Sequence, residues 1–236
     1  MAETLLRFLE TYRGSSCPTL AELASGLRVV VKLRGSGNGA EALASEYVVN
    51  RLAQAAGFPV PAPLIVHLPE HFPWKFGTDE FHDLVRKSPG PNLGLAVIPG
   101  ARPLALDRYG QLPVALVAQI VTLDRTFSNW DRTDQSGNLL EDQAHQVRFV
   151  DHGSCRFLQE RTSPALPPLP AHHSFLSRQD TFDATWLEII DDDLVACVAQ
   201  EVPETWLAEM GLTREYLLTA IRVRLELARA EPKGPS

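Results

Sequence analysis

The sequence sets Asp131 inside "NWDRTDQSGNLL", Asn138 further along the same stretch, and Asp151 at the end of the apolar run "VRFVD". A carboxylate at the end of a buried strand costs free energy unless a cation answers it. A divalent metal carrying phosphates is one such partner. Phosphoryl transfer needs a carboxylate to orient and deprotonate an acceptor hydroxyl, and an amide or carboxylate pair to hold Mg²⁺ against the phosphates. Asp131, Asn138 and Asp151 supply those groups in that order. The competing reading is an Asx-rich turn, with Asp131, Asp134 and Asn138 capping backbone groups and Asp151 turning the chain before Gly153. Each residue taken singly fits that turn; their order taken jointly favours the phosphoryl-transfer site.

Upstream, Lys32 stands in "VVVKLRG", a run expected to be a largely buried strand, where a lysine requires an anion. Glu46 follows in a helical pattern whose core face includes Ala42, Val49 and Leu52. A strand lysine paired with a helix glutamate is the arrangement that kinases use to hold a lysine against nucleotide phosphates. The alternatives are an edge strand with Lys32 in water and a solvated Glu46. Two Gly-containing loops, "RGSSCPT" and "RGSGNGAEA", offer backbone N–H groups that phosphate oxygens can approach. Neither carries the Gly-Lys-Ser/Thr ending of a Walker A loop. Their alternative readings are a helix stop at Gly14, Ser15 and Ser16 and a flexible connector at Gly35, Gly37 and Gly39. Asp124 is expected to pair with Arg125 or Arg132, Trp130 to pack beneath the loop, and His152 to pack or hydrogen-bond. His172 and His173 have no further ligand at zinc spacing.

The elements that must position these residues follow from periodicity. Leu5, Leu6, Leu9 and Tyr12 have helical spacing, stopped by Gly14. "CPTLAEL" and "LRVVVKL" read as a hairpin turning near Gly26. "EALASEYVVNRLAQAAG" reads as a helix closed by Gly57, and a strand is expected around Leu64 to His67. Residues 68–91 show no clear period. "LGLAVIPG" reads as a buried strand, "LPVALVAQIVTLDRTFSN" as a helix and "QVRFVDHG" as a strand. Pro-rich "SPALPPLPAHH" is expected to be a loop or tether rather than a packed element. Residues 177–230 read as mostly helical, with breaks near Pro203 and Gly211, and residues 231–236 as a frayed tail. The expected fold class is α+β and bilobal, with a β-rich nucleotide-binding lobe over residues 1–100 and a helical lobe over 101–230.

The 236 residues are 44% hydrophobic and 22% charged, with a net charge of −7, which argues against a nucleic-acid partner held by a broad basic face. The three cysteines fit no zinc spacing and suit reduced thiols. The first residues lack a basic n-region, and no apolar run is long enough for a membrane span, so a cytoplasmic protein is expected.

The runs "VVVKLRGSGNG…SEYVVNRLAQAAGFPVPAPLI", "LAVIPG", "NWDRTDQSGNLL" and "VRFVDHGSC" together resemble the HipA-like kinase family and, more remotely, phosphatidylinositol kinases. The resemblance runs from about Gly14 to Cys155. It implies a protein-kinase-like fold that uses ATP and Mg²⁺ and transfers the γ-phosphate to a hydroxyl. It places phosphate binding on Lys32, the catalytic base on Asp131 and the metal ligands on Asn138 and Asp151. It also places the family's small Gly/Ser loop on Gly14, Ser15 and Ser16, and the adenine hinge on Ala96, Val97 and Ile98. Two departures accompany it. Better-known members have their metal asparagine where this chain has Ser136, so Asn138 serves only in a longer or bulged loop. The chain is also shorter than the toxin kinases, without the N-terminal subdomain that helps them contact an antitoxin, so the resemblance leaves a toxin–antitoxin role open and does not carry over the acceptor substrate. A Ser/Thr protein kinase is the leading expectation. A small-molecule phosphotransferase and a nucleotide-binding pseudokinase acting as an interaction module remain open, the last favoured by Ser136.

Overall fold

The computed structural model describes residues 3–12, 14, 16–37, 39–74, 77–160, 163 and 165–231. Ser15 and tail residues 232–236 lie outside them. The chain begins with strands and ends in helices, an α+β arrangement. Strands β1 (Glu3–Thr11), β2 (Thr19–Leu23) and β3 (Arg28–Lys32) precede helix α1 (Gly39–Ala55). Then come β4 (Pro63–Leu68), α2 (Asp79–Arg86) and β5 (Gly90–Ala96). The five strands close into a barrel in the order β1-β2-β3-β5-β4. Strand β2 alternates buried and partly buried positions, and its buried side chains join Val29, Val31, Val66 and Phe81 inside the barrel.

The expected N-terminal helix is instead strand β1. Leu5 faces Leu23, Arg7 faces Glu22, Phe8 faces Ala21 and Glu10 faces Leu20, with register shifts at Leu6 and Leu9. Each β-bulge adds one residue and turns the period of two into three. Inward-facing Leu5 and Phe8 therefore acquire helix-like spacing. Gly14 accordingly sits in the β1–β2 turn rather than at a helix end. Helix α2, in the stretch without clear period, is only eight residues long. Thr78 caps it by accepting from the Phe81 N–H, with Asp79 and Glu80 in its first turn.

The second half holds β6 (Arg102–Pro103), α3 (Val114–Phe127), β7 (Leu139–Glu141) and β8 (Val147–Phe149). Helices α4 (Asp192–Glu201), α5 (Glu204–Met210) and α6 (Arg214–Ala230) follow. A large apolar core joins α1, α3 and the last helices. Helix α1 is buried along most of its length, including Glu46 and Asn50, so its polar groups need protein partners. The Pro-rich segment is packed rather than a tether: Leu166, Leu169, His173 and Phe175 are all buried. Its prolines stiffen a path whose leucines are drawn into the core.

Candidate active site

Antiparallel pairing of β2 with β3 sets Thr19 opposite Val31, so the turn containing Gly14 and Ser16 lies at the Lys32 end of β3. On the other side of β3, Lys32 faces Leu93 and Val29 faces Ala96. The chain therefore leaves the sheet after Ala96, three strand steps or about 10 Å along β3 from Lys32, and continues into Val97 and Ile98. Val97 is exposed, with Ala96 and Ile98 partly so.

Lys32 is 7% exposed and Glu46 1%. The lysine Nζ donates to Glu46 Oε2 at 2.6 Å and to Asp151 Oδ1 at 2.7 Å. The edge-strand reading of Lys32 and the solvated reading of Glu46 are thereby corrected, since both side chains are enclosed and paired. Burial alone would lower the lysine pKa, but the two carboxylates override it and raise it. Burial would raise Asp151, yet Lys32 holds it below the usual carboxylate range. Burial keeps Glu46 above that range. The lysine's direction governs this trio, because one ammonium serves two carboxylates, and it is charged at neutral pH. Asp151 has φ +62°, a left-handed conformation that costs a non-glycine residue roughly 1–2 kcal/mol. That turn delivers the carboxylate to Lys32 while leaving its side chain 43% exposed. Two residues on, Gly153 lies so near α1 that a Cβ there would stand 3.3 Å from both Cβ and O of Ala42.

Asn138 and Asp151 flank the β7–β8 hairpin, which pairs Leu139 with Phe149. The Val150 N–H donates to Asn138 O at 3.1 Å, so Asn138 is bonded to the residue that precedes Asp151. Asn138 is also left-handed, at φ +52°, and its Nδ2 donates to Asp131 O at 3.0 Å and Oδ2 at 3.3 Å. Ser136 shares the Asp131 carbonyl, to which its Oγ donates, and also bonds the Thr133 hydroxyl, but among the described residues it makes no hydrogen bond to the Asp131 carboxylate. Between Asp131 and Asn138 the chain makes a turn, closed by the Gly137 N–H donating to Thr133 O at 2.7 Å, with Gly137 and Asn138 both left-handed. Among the described residues no group of three or more His, Cys, Asp or Glu is arranged to hold a metal. Asn138 and Asp151 could supply one amide oxygen and one carboxylate, and Mg²⁺ takes few protein ligands when phosphates and water complete its octahedron.

The loop carrying Asp131 is tied down by a buried network that sequence reasoning grasped only in part. Asp124, on α3, accepts from Arg132, from Asn129 Nδ2 at 2.8 Å and from His173 Nε2 at 3.0 Å. Of the two arginines expected for Asp124, Arg132 is the partner; Arg125 reaches Glu231 instead. Burial would raise Asp124, but Arg132 and His173 hold it well below the ordinary range. Arg132 Nη1 also donates to Asn138 O at 2.7 Å, and Asn129 Oδ1 accepts the Asp131 N–H at 3.1 Å. His152 is fully buried between Arg132 and Asn50, and burial followed by the guanidinium's charge lowers its pKa to about 3. It is therefore neutral, with Nδ1–H donating to Asn50 Oδ1 and Nε2 accepting from Arg132. His173 was legible only as a histidine in a loop; nothing local announced that the loop would cross Asp124.

An open cleft of about 590 Å³ adjoins Asp131 and is lined also by Trp130, Gly153, Ser154, Arg156 and Glu160. Trp130 is 37% exposed, with the Arg156 guanidinium 4.5 Å above its ring, so it lines this cleft rather than packing beneath the loop.

This arrangement, a barrel lysine held by a helix glutamate and an aspartate–asparagine loop beside it, defines a kinase-class phosphotransferase. The chain belongs to the HipA-like kinase family, whose model matches residues 8–233. Among solved structures it is similar to the Helicobacter pylori proinflammatory kinase CtkA, with a TM-score of 0.58 and 13% sequence identity over 94% of each chain. At that identity the likeness carries the fold, which is kinase-like. A search of functionally curated proteins returned no match.

Proposed function

We propose that this kinase transfers the γ-phosphate of Mg·ATP to a hydroxyl, and that the hydroxyl belongs to a Ser or Thr of a protein. The observation that carries the nucleotide part is Lys32, enclosed and charged between Glu46 and Asp151. On this reading Lys32 meets the phosphates, Asn138 and Asp151 hold Mg²⁺, and the turn containing Gly14 and Ser16 covers the phosphates. Ala96, Val97 and Ile98 border the adenine. The bound metal would offset the phosphates' charge. Residues 1–100 would then act as the nucleotide lobe and residues 101–230 as the lobe carrying the loops.

Asp131 is proposed as the base that orients the acceptor and takes its proton. Its carboxylate borders the open cleft and is steadied by Asn138, which supports an acceptor entering from that side. The openness of the cleft favours a polypeptide loop over an enclosed metabolite. The Asn138 side-chain amide, donating to the Asp131 carboxylate at 3.3 Å, supports an active enzyme over the pseudokinase reading.

Calorimetry with Lys32→Ala tests the nucleotide part. Mg·ATP affinity is expected to fall about tenfold or more through loss of a charge-assisted contact, with adenosine affinity little changed. Equal ATP binding by both proteins would remove Lys32 from the site.

A further inference from the structure

We propose that Glu201 is a positioning residue: it fixes α1 against α4 and α5 and thereby holds Glu46 on Lys32. Tyr47 and Arg51 stand four apart on one face of α1, directly after Glu46. One carboxylate takes both. Glu201 Oε2 accepts from the Tyr47 hydroxyl at 2.9 Å and from Arg51 Nε at 2.8 Å, and Oε1 accepts from Arg51 Nη2 at 3.0 Å. This is the two-pronged guanidinium–carboxylate match, which fixes orientation as well as distance.

Glu201 is the last residue of α4, where the helix dipole disfavours a negative charge. Its place is explained by what it holds on α1. The hydrogen bond from Arg51 is the chief reason its carboxyl stays below the ordinary range.

The next helix adds two further holds. Trp206 is fully buried, donates from Nε1 to Pro91 O of β5 at 2.9 Å, and presents its ring edge-on to Tyr47 at 6.5 Å. Glu209 pairs with Arg34, just before α1, at 2.5 Å. Helix α1 is thus gripped near its start and along the Tyr47–Arg51 face by α4 and α5. A rotation that frees Tyr47 and Arg51 swings Glu46 away from Lys32. The kinase reading enters only in the catalytic consequence; the grip itself can be measured without nucleotide.

The test is acylation of lysine amines in nucleotide-free protein, resolved by residue with mass spectrometry. Exposed Lys87 is the internal reference for the buried Lys32. The Arg51 and Glu201 side chains are 28% and 34% exposed, so Glu201→Gln leaves no enclosed charge and is expected to fold. It should raise the Lys32 rate relative to Lys87 by roughly 1.5- to fivefold, the scale set by losing one partly exposed ion pair. Its melting temperature should stay within a few degrees of wild type. Arg51→Glu should act likewise, and Arg51→Glu with Glu201→Arg should restore protection, which a merely structural defect would not allow. Should Glu201→Gln fail to fold, Tyr47→Phe decides the matter, with a rise of about twofold expected. Unchanged Lys32 protection in the folded single variants overturns the proposal. A rise in Lys32 labelling together with absent ATP turnover in wild type upholds the grip and removes the kinase reading.

Discussion

Asp124→Asn removes one charge from the network beneath the Asp131 loop while keeping the side chain's shape. Asp124 and Arg132 both have side chains with 0% exposure. The guanidinium would then face a neutral amide through Nε and Nη2, with no water able to replace the carboxylate. Leaving one partner of a buried pair uncompensated costs about 3–5 kcal/mol. That is a large share of the roughly 5–15 kcal/mol that holds a domain together. At about 2–4 °C per kcal/mol for a chain of this size, the melting temperature should fall by roughly 10 °C. Urea unfolding followed by fluorescence gives the free energy directly. Because Arg132 also holds Asn138 O and Asn129 holds the Asp131 N–H, catalysis should fall in the surviving folded fraction too. A loss below about 1 kcal/mol would refute the argument, since that is the scale of a solvated surface pair.

Two further outcomes follow from the same geometry. Asn138→Ala should abolish Mg²⁺-dependent turnover, and Ser136→Ala should leave it nearly intact, because on the proposed reading Asn138 holds the metal and Ser136 only braces the Asp131 carbonyl; the reverse pattern in a phosphate-release assay would restore the shorter alignment. Acid should destabilise the fold through His152, whose pKa is lowered from 6.5 to about 3 by burial and Arg132. Between those values the unfolded chain binds the extra proton. Stability is therefore full above pH 6.5 and falls as the pH drops, by up to ~1.4 kcal/mol per unit. A His152→Gln variant that keeps the wild-type slope between pH 6 and 4 in chemical denaturation would contradict this.

The residues of the candidate site could be picked out from the sequence because they sit at the ends of, or within, strongly patterned elements. Lys32 ends a run of valines, Glu46 lies within a long helical period, and Asp151 closes an apolar strand. Where pattern failed, a physical cause is visible. Two bulges gave β1 a helical spacing. Helix α2 is too short to show a period and was marked only by its Thr78 cap and acidic first turn. The packed Pro-rich segment and His173 depend on contacts across long sequence separation, as do the grips of Glu201 on Arg51 and Trp206 on Pro91. Composition carries no trace of such pairings. Ser136 and Asn138 could not be told apart from the sequence, because the turn between them depends on left-handed Gly137 and Asn138, which residue type suggests but does not fix.

The central claim is that Asp131 serves phosphoryl transfer from Mg·ATP. Asp131→Asn retains the shape and an acceptor oxygen for Asn138 Nδ2 but removes the base. Wild type and variant should be compared for ATP affinity by calorimetry and for transfer of labelled γ-phosphate to protein hydroxyls by mass spectrometry. The account predicts nearly equal affinity and a transfer rate lower by roughly 10²-fold or more in the variant. Equal transfer by the two proteins, or ATP bound by both with transfer by neither, would contradict it.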